Sequence, residues 1–186
     1  MKNKLIFDVE TNGLSATSSV LSFSALVVDE KNKVIKEFDR YYYRRDGEPI
    51  DEIAISINGL TDATIEANRA NVTYPKYFGE DKEIFELFAK DHDLYIAHNI
   101  QFDRGFIEYH HEYFISEEKE FCTMLATQYV YDAPFMRNGE PKYPKLSESV
   151  AHYNIDTSKF LGKGGYHSSL FDCYCCLEIF KRVTKE

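Results

Sequence analysis

Asp8 and Glu10 stand two apart in KLIFDVE, Asp103 ends HNIQFD, and Asp172 ends HSSLFD. Burying an unpaired anion is costly, yet each of these acids is written into an apolar stripe. Residues two apart on a strand share a face, so Asp8 and Glu10 point together near the end of an apolar run. At about 100° per residue, Asp103 shares a helix face with Phe106, Ile107, His110 and Phe114. Asp172 shares one with Cys175, Cys176, Ile179 and Val183. Singly, each has an ordinary explanation: a solvated strand end, a cap or core ion pair, a first-turn aspartate favoured by the helix dipole. Three distant segments with the same anomaly point to one common site. Clustered carboxylates repel and raise one another's pKa. Divalent cations relieve that conflict, and hard oxygen ligands suit Mg²⁺ or Mn²⁺ better than zinc. Two such ions can clamp the attacking and leaving oxygens of a phosphodiester.

His167 lies five residues before Asp172, after LGKGGY. On one helix that offset would set the two about 140° apart. The histidine therefore reads as a loop residue, just before Ser168 or Ser169 caps the helix. A neutral imidazole there can take a proton from an attacking water. A lone loop histidine is ordinarily a solvated side chain, and only its company singles this one out.

The elements that must carry these groups follow from periodicity. KLIFDVE, VLSFSALVVD and KVIKEFDRYYY read as strands, the last two as a hairpin across EKN. Residues 44 to 80 read as irregular, punctuated by Asn58-Gly59 and Tyr74-Pro75. DKEIFELFAKD reads as a helix with Ile84, Phe85, Leu87 and Phe88 on one side, and LYIAHN as a strand buried on both faces. QFDRGFIEYHHEYF, KLSESVAHYNI and SSLFDCYCCLEIFKRV read as helices, and FCTMLATQYV as a short strand running into one. Strands first, then strands alternating with helices, predict an α/β chain with a mixed central sheet flanked by helices.

With 186 residues, 44% hydrophobic and 28% charged, the chain fits one globular domain over 1–186 with a substantial core. A formal net charge of −9 disfavours a general basic surface that coats nucleic acid. It leaves room for an enzyme that holds one strand end through ions and a few contacts. No apolar run is long enough for a membrane span and the start shows no signal peptide, so a cytoplasmic protein is expected. Cys122, Cys173, Cys175 and Cys176 read as reduced. The last three point in different directions around one helix, which makes a zinc site unattractive.

FDVETNGL, HNIQFD and HSSLFD resemble, in that order, the three motifs of the DEDDh branch of the DEDD 3′–5′ exonucleases. That family includes the proofreading subunit of bacterial DNA polymerase III and ribonuclease T. The resemblance spans nearly the whole chain: SINGLTD and KLSESVAHYNI also look like family segments. It implies a ribonuclease H-like fold and two divalent metal ions, Mg²⁺ or Mn²⁺. Asp8 would bridge them, Glu10 and Asp172 would hold one, Asp103 would support the other, and His167 would be the general base. The implied reaction is removal of nucleoside monophosphates from the 3′ end of single-stranded or frayed DNA, with a DNA polymerase as a potential partner. RNA trimming or oligonucleotide degradation is the alternative. A non-catalytic binding module is the rival from another class, and the intact set of five argues against it. The pattern departs at Val9 and Asn12, where the family usually has threonine, and at Ile100 and Ser169, where it usually has alanine. Substrate contacts are expected at Asn12, Gly13, Leu14, His98 and Asn99. Phe102 and Phe106 read first as core, with base stacking as the alternative. Arg44, Arg45, Lys142, Lys145, Lys159 and Lys163 are candidates for backbone phosphates, with solvated loops as the plainer reading of most. Lys163 has the strongest claim because it shares the loop of His167.

Overall fold

The computed structural model describes residues 3–90, 92–132 and 134–185. Its centre is a five-stranded sheet in the order β3-β2-β1-β4-β5. The strands are β1 (Lys4–Thr11), β2 (Val20–Val28), β3 (Val34–Tyr41), β4 (Leu94–Ala97) and β5 (Glu120–Cys122). β1 pairs antiparallel with β2, and β2 with β3. β4 runs parallel to both β1 and β5, so the sheet is mixed, as expected. Among the described residues no helix is long and apolar enough to cross a membrane.

Alternation along β1 sets the two layers. Leu5, Phe7 and Val9 face a core built with α3 (Lys82–Phe88) and α4 (Ile100–His111). Ile6, with Leu26 and Ile96, faces α7 (Ser169–Val183). The α7 side carries Leu170, Cys173, Cys176 and Leu177 inward, while α6 (Leu146–His152) packs against the other flank of α7 through Val150. All four cysteines are free thiols, and the three in α7 are buried.

Three expectations change. Residues 44 to 80 hold two short helices, α1 (Glu52–Asn58) and α2 (Asp62–Asn68). Asp51 caps α1 by accepting from the Ile53 and Ala54 amides. Gly59, at φ 68, ends it and donates to Ile55 O; the left-handed backbone there suits glycine. Asn58-Gly59 is thus a helix end, not a loop turn. Phe85 is exposed although Ile84, Leu87 and Phe88 are buried, because it sits about 100° from the centre of that face. α4 stops at His111, so Phe114 lies beyond it and is exposed. FCTMLATQYV follows the expected course, with β5 running into α5 (Thr123–Gln128).

Candidate active site

Asp8 and Glu10 continue the face of Ile6 toward the end of β1, and their partners on β2 are Ser24 and Ser22. Ser169, in the first turn of α7, is buried against both: its hydroxyl lies 2.9 Å from Ser22 Oγ and 2.7 Å from Ser24 Oγ. Ser24 donates onward to Asp39 Oδ1 at 2.7 Å. These hydroxyls fix the end of α7 over the two acids, and Asp172 follows one turn later. From the other layer, Asp103 Oδ1 accepts the Val9 N–H at 3.0 Å. That amide lies between Asp8 and Glu10, so α4 is held at the same place. Ser169→Ala should leave buried hydroxyls short of a partner, at a cost of about 1 kcal/mol. A drop of about 2–4 °C in Tm is expected for a chain of this size. An unchanged calorimetric Tm would show that these serines do not hold the helix.

Asp103 and Asp172 are buried and Asp8 and Glu10 half-buried, and all four carboxyls are pushed up. Burial, then Asp103, Asp172 and Glu10, push the Asp8 carboxyl far above the ordinary range. Glu10 is pushed up to about 8 by burial and then by Asp172 and Asp103. Burial also lifts Asp103 to about 8 against the Val9 hydrogen bond, and Asp172 to about 7 against a hydrogen bond from the His167 backbone. Asp8 Oδ2 and Asp172 Oδ1 are buried without a hydrogen-bond partner. Orphaned carboxylate oxygens in a repelling cluster are what divalent cations satisfy. Glu10, Asp172 and His167 can each offer an atom within 4.8 Å of the others. The oxygen-rich donor set fits Mg²⁺ or Mn²⁺.

His167 lies on the loop before α7, as expected, and is exposed. Its φ of 67 is left-handed, uncommon for a residue with a Cβ. Its N–H donates to Asp172 Oδ2 at 3.1 Å, which ties loop to helix. Gly164, at φ 107, has no room for a Cβ: one built there would lie 2.6 Å from Ser168 Oγ. The capping expectation fails in detail. Ser168 holds the N-cap position, but its hydroxyl donates to Lys163 O at 3.1 Å instead. Lys163 also departs from its expected role: its ammonium pairs with Glu37 at 2.8 Å, and Tyr174 donates to the same carboxylate at 2.6 Å. The lysine thus fastens the loop to β3.

Residues 5–180 match the RNase_T family model, described as Exonuclease. The chain belongs to this family, the DEDD 3′–5′ exonucleases. A DNA polymerase III PolC-type from Streptococcus pyogenes serotype M5 (strain Manfredo) is 30% identical over 142 residues, covering 76% of this chain and 8% of that protein. Exonuclease I in its apo structure superposes with a TM-score of 0.71 at 20% identity, over 98% of this chain and 42% of that one. E. coli Exonuclease I in complex with a dT13 oligonucleotide gives 0.72 at 20% identity, over 100% and 41%. Those structures share the ribonuclease H-like fold. The chain spans less than half of Exonuclease I and a small part of the PolC-type protein.

Beside its carboxylates the chain has an apolar cleft of about 310 Å³ with Glu10 in its wall. Gly13, Leu14 and Phe102 line it, facing Ile53, Ala54 and Ile57 of α1. Leu14 is 88% exposed, a leucine with almost no packing role. Phe102 is half-buried, which leaves ring surface for stacking. The α1 residues were missed from sequence. The signal was there in Asp51 and Gly59, which bracket a helix of two turns.

Two expected contacts are committed elsewhere. Asn12 is buried; its amide donates to Glu48 Oε1 at 2.9 Å and Pro49 O at 2.8 Å and accepts from the Asp51 N–H at 3.1 Å. It braces the approach to α1 and so sets the far wall of the cleft. The His98 ring bridges Thr123 Oγ1 and Pro144 O, each at 3.0 Å. Burial lowers its pKa to about 4, so the ring is neutral near pH 7, with Nε2–H donating to the carbonyl. Asn99 stays exposed at the start of α4, in a left-handed conformation at φ 71.

Proposed function

We propose that the chain shortens single-stranded or frayed DNA from its 3′ end, releasing nucleoside monophosphates, with two divalent ions held by Asp8, Glu10, Asp103 and Asp172. One observation carries the reading: buried, unpartnered oxygens of Asp8 and Asp172 in a carboxylate cluster that opens beside an apolar cleft. When bound, the ions supply positive charge for the developing negative charge on the phosphate and for the attacking and leaving oxygens. The protein supplies the rest. Leu14, Phe102 and the α1 wall hold the terminal base between apolar surfaces, which recognise a π-face and discriminate little among the four bases. Because the cleft takes a chain end, cleavage falls one residue in. His167, exposed beside Glu10 and Asp172, accepts the proton that the attacking water gives up. The kinship with a PolC-type polymerase supports DNA as substrate and proofreading as its setting.

The test is a time course on matched 5′-labelled DNA and RNA strands in Mg²⁺ and in Mn²⁺. A ladder of stepwise shorter products is expected, faster on DNA. Immediate release of labelled mononucleotide, or cuts in a circular single strand, would overturn the reading. A faster ladder on RNA would keep the chemistry and reassign the substrate.

A further inference from the structure

Between α5 and α6 the chain forms a hairpin. Phe135 and Pro141 bridge antiparallel. The Met136 N–H donates to Glu140 O at 2.7 Å, and the Lys142 N–H to Pro134 O at 3.0 Å. Its base is anchored at the end of the sheet that carries the carboxylates. β1 and β4 run parallel, with Ile6 paired to Ile96, and His98 directly follows β4 at the sheet end where β1 carries Asp8 and Glu10. His98 is the residue whose ring binds Pro144 O, the carbonyl at the hairpin's base. Gln128 donates to Pro141 O at 2.8 Å and fixes the other strand. The apolar cleft therefore meets the acids through Glu10, while the hairpin is tied through His98 to the same end of the sheet.

The surface of this hairpin combines exposed aromatic rings with cations. Phe135 is 75% exposed and Tyr143 46%. Between Pro134 and Lys145 lie three cations, Arg137, Lys142 and Lys145, and one carboxylate, Glu140, within a protein of net charge −9. Lys142 is held by Glu148 at 2.7 Å, while Arg137 and Lys145 are exposed. Aromatic rings interleaved with cations match a single strand, whose bases stack and whose phosphates carry charge. We propose that this hairpin binds the single strand on the 5′ side of the scissile bond, stacking bases on Phe135 and Tyr143 and meeting phosphates with Arg137 and Lys145. The inference rests on the exonuclease reading, since that reading places a strand end in the cleft.

The test compares kcat/KM on a dinucleotide and on oligothymidylate of about 15 residues. In Phe135→Ala/Arg137→Ala the ratio of long to short should fall about tenfold or more. Phe135→Tyr/Arg137→Lys should restore most of it. Arg137→Ala alone should flatten the salt dependence of KM by about 0.7 in log–log slope. A ratio equal to wild type would overturn the proposal and leave the hairpin to a protein partner. Equal losses on both substrates would also overturn it, because they would place the residues at the cleft. Fluorescence anisotropy of a labelled strand, with the same changes in an Asp103→Asn background, separates the two readings. Weaker strand binding there supports the hairpin even if no cleavage is found, and unchanged binding overturns it.

Discussion

Asp103→Asn is expected to lose about 10²–10³-fold or more of the strand-shortening rate while leaving the metal-free fold at least as stable as wild type. The asparagine keeps an oxygen for the Val9 N–H that Asp103 now accepts, so the packing of α4 survives. What disappears is one charge from a repelling set. In the folded protein Glu10 and Asp103 titrate near 8 and Asp172 near 7, against about 4 for free carboxyls. A raised folded pKa means that the native state holds protons the unfolded chain has released. Metal-free stability therefore falls as pH rises from about 4 to about 8. Divalent ions that bind only the folded state offset this, and at about 100 times Kd they add about 2.7 kcal/mol, or about 5–10 °C in Tm. The gain should be larger at about pH 8 than at about pH 6, where protons compete for the same oxygens. Asp103→Asn should shrink both the ion response and the pH slope. A wild-type melting curve indifferent to millimolar Mg²⁺ and Mn²⁺ at either pH would remove the case for the site.

His167→Ala should cost about 10²–10⁴-fold in rate, the usual loss of a general base, and leave the rise in Tm with Mg²⁺ or Mn²⁺ close to that of wild type. Higher pH should recover part of the variant's activity, because hydroxide can replace the missing base. The contrast with Asp103→Asn is in the thermal response: one variant loses activity with the ions still bound, the other loses both. His167 can also offer an atom close to Glu10 and Asp172. If the alanine variant loses its ion-dependent stabilisation, the histidine is a ligand and not the base. If it cleaves as fast as wild type at saturating metal, it is neither.

Patterns carried by a single element were legible in the sequence. Period-two alternation placed β1 and put Asp8 and Glu10 on one face. Helical spacing put Asp103 and Asp172 on inward faces, where both are buried. Features set by a partner elsewhere were not. Nothing near Asn12 announces that Glu48 and Pro49 will claim its amide, and His98 meets Thr123 and Pro144 only after β4, α5 and the hairpin have come together. Ser169 looked like a small departure from alanine, and its meaning lies in two serines on β2. The two helices between Glu52 and Asn68 escaped because two turns supply too few residues for a period to emerge, although their caps were written out.

The placement of β1 has a consequence for how the protein assembles. The first strand of the chain lies in the middle of the sheet. It meets β2 within a hairpin, but its other edge waits for β4, through pairings such as Lys4 with Leu94, and its face waits for α7. Contacts so far apart in sequence form slowly, since a long loop must close before they reward it. Docking of α7 adds Asp172 to the charges that Asp8 and Glu10 already meet in Asp103. Their repulsion with Asp172 arises only when α7 packs on the sheet, so divalent ions are expected to favour that packing and to slow its opening.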